Sequence, residues 1–185
     1  KDGAHWPYLW RYPTNKSLFM PVQESEYEPM VSTNKVKIIN TYSNLVKHTV
    51  NDFLARYVDY EVRSDTLLFY TSDHGQALLE PDAKDGLTHC SSFYDPHSSQ
   101  VAVPLMVIES DGQQKYLARK DKKYFQSQIF PSILNEMGYP DSVQARYGMN
   151  LTYGYSIETD YWFYWSVEGD KSLYKSSQVK KLDLE

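Results

Sequence analysis

Thr66-Leu67-Leu68-Phe69-Tyr70-Thr71-Ser72-Asp73-His74-Gly75-Gln76 is the stretch that decides the fold. Its first six residues form a short unbroken run of apolar and strand-forming side chains. Such a run predicts a buried strand of a parallel sheet, because both faces of that strand are covered. The run stops at Ser72-Asp73-His74-Gly75. In open α/β sheets ligands bind beyond the carboxyl ends of the strands, so this is where chemistry is expected. Gly75 gives the chain freedom to turn there, since it takes backbone angles closed to other residues. A carboxylate and an imidazole side by side are suitable ligands for zinc or another divalent cation. A capping Asp and a hydrogen-bonded loop His give the same pattern, and a metal site needs three or four ligands.

Upstream of the strand, apolar residues recur at three- and four-residue spacings through Val36, Ile39, Tyr42, Val46, Val50, Phe53, Leu54 and Tyr57. This predicts a long amphipathic helix running to about Tyr60, with Ser32 or Thr33 as its N-cap. Residues 1–31, rich in Pro, Tyr and Trp, show no period and predict a surface segment. Residues 76–100 predict a long polar loop. Val101-Ala102-Val103-Pro104-Leu105-Met106-Val107-Ile108 predicts a second buried strand that starts in earnest at Leu105, because Pro104 cannot donate to a ladder. A further helix is expected from about Lys122 to Met137, beginning near Ser127 if Pro131 interrupts the pattern, and closed by Gly138. Tyr161–Val167 and Ser172–Lys175 flank a Gly-containing turn and predict an antiparallel hairpin. The order implies an α/β fold with a mostly parallel sheet, an antiparallel edge and no internal domain boundary.

The composition is that of an ordinary globular chain of 185 residues. The formal net charge of -5 argues against nucleic acid as a partner, which would require cations facing phosphates. The basic residues between Lys115 and Lys123 read as a solvated stretch. No apolar run reaches the roughly 20 residues needed to span a bilayer. Cys90 is the single cysteine, so no disulfide forms within the chain. Lys1-Asp2-Gly3-Ala4-His5 carries neither an initiating Met nor a capping pattern and reads as the start of an excised piece. His5 and His89 are candidates for the crevice that Asp73 and His74 would face. His48 and His97 read as structural.

Several stretches, in order, resemble the phosphoethanolamine transferase family of the alkaline phosphatase/sulfatase superfamily. Residues 66–76 are similar to that family's hydrophobic strand ending in Ser-Asp-His-Gly-Glu. Gly3-Ala4-His5-Trp6-Pro7 and Arg11-Tyr12-Pro13 resemble its Gly-Ser-His-Gly-Pro segment and the Arg-Tyr-Pro after it. Ile39-Asn40-Thr41-Tyr42-Ser43-Asn44, Val103-Pro104-Leu105-Met106-Val107 and Ser127-Gln128-Ile129-Phe130-Pro131-Ser132-Ile133-Leu134 resemble its Asn-Thr-Tyr-Asp-Asn helix, its Val-Pro-Met strand and its Asp-Phe-Pro-Thr-Leu-Leu helix. The matches cover residues 3–138.

The resemblance implies an alkaline phosphatase-like α/β/α sandwich, of which residues 1–185 would be the C-terminal part of the catalytic domain. It implies that Asp73 and His74 are metal ligands for Zn2+ or another divalent cation, and that His5 and His89 bind substrate. It implies a Thr nucleophile upstream of this chain, so that the piece alone is inactive. The expected reaction moves phosphoethanolamine from a phospholipid donor to a lipid A or glycan acceptor through a covalent phospho-Thr intermediate. The parent would sit in the inner membrane, with this domain periplasmic, and would modify lipopolysaccharide. A hydrolase of phosphate or sulfate esters and a non-catalytic binding module with a decayed site are the alternatives. Gln76 stands where the family has Glu, Trp6 where it has Gly, and Ala4 where it has Ser.

Overall fold

The structure is a computed structural model that describes residues 4–60, 66–81, 89, 97–110, 113–117, 121–156, 161–165 and 171–175. The N-terminal segment runs irregularly, broken by short 3-10 turns at Leu9–Arg11 and Thr14–Lys16. Helix α1 spans Lys35–Val46, passes through a π-helical turn at Lys47–Asn51 and continues as α2, Asp52–Tyr60. The expected helix therefore forms along its whole length. Ser32 does not cap it: Ser32–Asn34 forms a 3-10 turn, and neither that turn nor α1 has a side-chain cap.

The buried face of α1 also differs from the expected one. Ile38, Thr41, Asn44 and Leu45 are buried, whereas Val36 and Phe53 are 61% and 55% exposed. The reason is polar. Asn44 accepts from the backbone N–H groups of Leu18 and Phe19 through Oδ1 and donates to the Phe19 carbonyl through Nδ2. Thr41 Oγ1 accepts from the Gln23 N–H at 2.9 Å. These side chains replace water for the irregular 17–23 segment, which would otherwise bury unpaired backbone groups. A count of apolar residues alone phases the helix incorrectly. The apolar part of this core joins Tyr8 and Tyr12 of the N-terminal segment to Ile38 and Leu45, with Ala4, Trp6, Met30, Tyr42, Leu78 and Leu79 packed around them.

Strand β1 is Leu67–Thr71. A short helix, α3, forms at Ser98–Val101, inside the region expected to be loop, and β2 follows at Leu105–Glu109. The start after Pro104 is as predicted. The direction is not. β1 and β2 pair antiparallel, with Leu67 opposite Glu109 and Thr71 opposite Leu105. Every strand pairing among the described residues is antiparallel, so the expected mostly parallel sheet is not formed by them. The cause is the return path. Gly75 N–H donates to the Gln100 carbonyl at 2.9 Å, so α3 docks against the end of β1 and the chain leaves it at that same end. The next strand can only run back.

Strand β3 is Lys122–Lys123 and pairs with β4, Tyr155–Ser156. Lys122 therefore lies in a strand, and not at the start of the expected second helix. That helix, α4, is Ile129–Glu136, entered through a 3-10 turn at Gln126–Gln128. Pro131 sits in its first turn, where a missing N–H is tolerated. Gly138, at φ 75°, follows its end as a left-handed residue suited to glycine. Gln128 Oε1 accepts from the Phe125 N–H at 2.8 Å, and Ser132 Oγ accepts from the Leu151 N–H at 2.8 Å. The first bond caps the entry to α4; the second, with Gln128 Nε2 donating to the Asn150 carbonyl, fastens α4 to the segment before β4. Helix α5 covers Asp141–Gln144. The predicted hairpin is present as β5, Tyr161–Trp165, and β6, Lys171–Lys175, with Trp165 opposite Lys171. No described helix is long and apolar enough to cross a membrane.

Candidate metal centre

The end of β1 is tied down by its own side chains. Ser72 Oγ donates to the His74 carbonyl at 2.7 Å, and the His74 N–H donates to Asp73 Oδ1 at 3.1 Å. Gln126, entering α4, donates to the Ser72 carbonyl and holds the turn from the other side. Gly75 follows with no side chain, and none would fit. An added Cβ would lie 2.0 Å from the Ser99 carbonyl oxygen. Glycine is thus required for close approach to α3. The turning freedom expected of it is not used, since its φ is not in the left-handed region.

One nitrogen of the His74 imidazole is engaged by the backbone. Its Nδ1 lies 2.8 Å from the Gly75 carbonyl oxygen, which can only accept. An N–H therefore stands at Nδ1, which leaves Nε2 as the nitrogen that could ligate a metal. Histidines that bind metals are oriented by this kind of bond. Around the His74 ring the fold assembles two more. His5, from the N-terminal segment, lies 5.8 Å from His74 between ring centroids, edge to face. His89 stacks on His74 at 4.3 Å with 14° between the planes, and stands 5.5 Å from His5. One ring nitrogen from each of the three falls within 4.8 Å of the others.

Burial and neighbouring charge favour the neutral form of His89. Partial burial lowers the His89 pKa, the charges of His74 and His5 lower it further, and Asp73 opposes them. A neutral imidazole is the form that binds a metal. Asp73 stands at the rim, its side chain 85% exposed and Oδ1 4.0 Å from His74 Nε2. Partial burial raises its pKa, but the His74 charge and the hydrogen bonds from His74 and Ser72 outweigh this and hold it below the ordinary carboxylate value. Three imidazoles with an adjacent carboxylate fit zinc: three protein ligands and an open position are the donor set of catalytic zinc sites.

All four residues singled out in the sequence meet here. His5, His74 and His89 converge in one group, and Asp73 flanks it. His97 and His48 are elsewhere. His97 is buried, with Nδ1 accepting from the Ser99 N–H at the start of α3. His48 Nδ1 is 3.4 Å from Asp52 Oδ2, one helical turn away. Sequence reading missed Tyr8, Gln100 and Gln126, which support the site through backbone or amide contacts. Nothing in residue spacing distinguishes them from other polar or aromatic residues.

The sequence around this cluster defines a class. The sequence profile described as Sulfatase matches residues 2–139, and the chain belongs to that family, within the alkaline phosphatase/sulfatase superfamily and its α/β fold. Inside it, the similarity is to phosphoethanolamine transferases. Over 116 residues the chain is 31% identical to Kdo(2)-lipid A phosphoethanolamine 7''-transferase of Escherichia coli (strain K12), covering 62% of this chain and 18% of that protein. Over 150 residues it is 26% identical to phosphoethanolamine transferase EptA of the same strain, covering 74% of this chain and 26% of that protein. The chain thus spans between 18% and 26% of the length of these relatives. No solved structure matches it with significance.

Proposed function

We propose that this chain carries the zinc-binding side of the active site of a phosphoethanolamine transferase. The observation that carries the reading is the convergence of His5, His74 and His89 from three separate stretches, with ring nitrogens within 4.8 Å of one another at the end of β1. Adjacent residues offer many trivial reasons for contact. Three imidazoles drawn from positions 5, 74 and 89 do not.

In this reading His74 Nε2, freed by its Nδ1 bond, and the rings of His5 and His89 hold Zn2+ or another divalent cation, with Asp73 as the fourth candidate ligand. Such an ion withdraws charge from a phosphoryl oxygen and favours an ionised nucleophile. The nucleophile is a Thr outside this chain, which takes the phosphoethanolamine group in covalent form and splits one difficult displacement into two. His5 is exposed and His89 half-buried, so an imidazole not engaged with the ion can face the phosphate and stabilise charge on it. The donor is a phospholipid and the acceptor lipid A or a glycan, which places the parent in the inner membrane with this region periplasmic. Chain residues 1–185 then form the C-terminal part of the catalytic domain.

The test has two stages. Calorimetric titration of the chain with Zn2+ should show one site that disappears in His74→Ala. The parent protein should then transfer label from phosphatidylethanolamine to lipid A. A parent that binds zinc but releases free phosphoethanolamine or phosphate to water, without an acceptor, is instead an ester hydrolase, the reading favoured by the description of the family as Sulfatase. A parent that neither binds zinc nor turns over substrate is a binding module.

A further inference from the structure

Gln76 lies two residues beyond His74 and reaches across to the segment that bears His5. Its Nε2 donates to the Ala4 carbonyl, and its Oε1 accepts from the Tyr8 hydroxyl. One carboxamide thus holds the chain on both sides of His5. The far end is anchored in turn: Tyr8 is fully buried, packs edge to face on Trp6 at 5.2 Å, and packs on Tyr42 of α1 at 5.2 Å. A path of contacts runs from α1 through Tyr42, Tyr8 and Gln76 to the residue preceding His5.

We infer that Gln76 is a positioning residue that sets His5 against His74 and His89, and that Tyr8 is its partner in doing so. The chemistry is specific to the amide. It offers one donor and one acceptor, and this site needs one of each: a donor for a carbonyl and an acceptor for a hydroxyl. A carboxylate has acceptors alone. Glu at this position could accept from the Tyr8 hydroxyl but would turn a second oxygen toward the Ala4 carbonyl and repel it. A leucine would satisfy neither. Because the clamp holds the Ala4 carbonyl before His5 and the Tyr8 side chain after it, its loss releases the imidazole while leaving the His74–His89 stack in place. The effect on zinc rests on the reading that the three rings hold a metal. The positioning itself does not.

The experiment uses the whole 185-residue chain, metal-free, with labelled histidine. Cross-relaxation between His5 ring protons and those of His74 and His89 is expected in the unmodified chain. In Gln76→Leu and Gln76→Glu the two His5 contacts should vanish and the His74–His89 contact should persist. Tyr8→Phe, which removes only a hydroxyl, should weaken the His5 contacts without abolishing the native amide spectrum. On titration with Zn2+ alone, affinity should fall roughly 10- to 100-fold in the Gln76 variants, the usual effect of removing a support behind a ligand. Retention of the His5 contacts in both Gln76 variants overturns the inference, as does their absence in the unmodified chain. Loss of those contacts together with no zinc binding by the unmodified chain upholds the clamp and overturns the metal reading.

Discussion

An added Cβ at position 75 would lie 2.0 Å from the Ser99 carbonyl oxygen and 2.7 Å from that of Ala102. Both obstacles are backbone, and α3 cannot yield without breaking the bond from Gly75 N–H to the Gln100 carbonyl. Gly75→Ala is therefore expected to cost about 3 kcal/mol, the upper range for overpacking, in urea-induced unfolding. A cost below about 1 kcal/mol would show that α3 is not seated on the strand end. The opposite sign is expected at Gln23. It is 2% exposed, and neither atom of its side-chain amide has a hydrogen-bond partner among the described residues. An unpaired buried amide is costly, and removing it recovers that cost. Gln23→Met should raise stability by about 1 kcal/mol in the same measurement. The sequence marked Gly75 as special, but for turning freedom, because a one-dimensional pattern carries no information about what packs over a residue. It gave no sign of Gln23, since an orphaned amide is a property of its neighbours.

Among the elements, those defined by local rules were legible and those defined by partners were not. The length of the α1–α2 helix, the start of β2 after Pro104 and the left-handed Gly138 all follow from backbone chemistry that a residue carries with it. The direction of β2 and the buried face of α1 depend on α3 and on residues 17–23. The helix α4 shows a partner-dependent feature that can be measured. Glu136 accepts from the Tyr116 hydroxyl and from Lys115 Nζ. Partial burial pushes the Glu136 carboxyl up, but these two bonds outweigh it and hold it below the ordinary value; burial and the same bond push the Tyr116 hydroxyl up. A carboxyl with a lower pKa folded than unfolded gives stability that is complete above the unfolded value and lost as pH falls through the folded one. The melting temperature should decline as pH is lowered from about 5 to about 3, and Glu136→Gln should flatten that decline. An unchanged slope in the variant would remove Glu136 from the account. Tyr116→Phe, which leaves Lys115 in place, should cost about 1 kcal/mol near neutral pH.

For the whole molecule, the candidate site is a meeting of three stretches that the chain itself keeps far apart. Residue types named the participants, and the resemblance implied metal ligation for Asp73 and His74 and substrate binding for His5 and His89. The grouping of His5 with His74 and His89, and the place of Asp73 at its rim, needed the fold, because distance in space is not encoded in spacing along the chain. A ligand that binds only where these stretches meet must stabilise the folded state, by about 2.7 kcal/mol at a free concentration 100 times its dissociation constant. Zn2+ should therefore raise the melting temperature of the chain, and a chelator should reverse the rise. His89→Ala should abolish the increment while leaving the metal-free melting temperature nearly unchanged, because His89 is only half-buried. His97→Ala should do the reverse. That ring is 4% exposed and receives the Ser99 N–H at the start of α3, so its loss should lower the metal-free melting temperature and spare the zinc increment. Acid should act on the increment in one direction. Protons compete with zinc for the imidazoles, and the lowered pKa of His89 keeps its lone pair available at neutral pH. The increment should thus be large near pH ~7 and shrink as pH falls below ~6, because protons then compete with zinc for its ligands. An increment that survives His89→Ala, or that grows in acid, would place the metal somewhere other than this cluster.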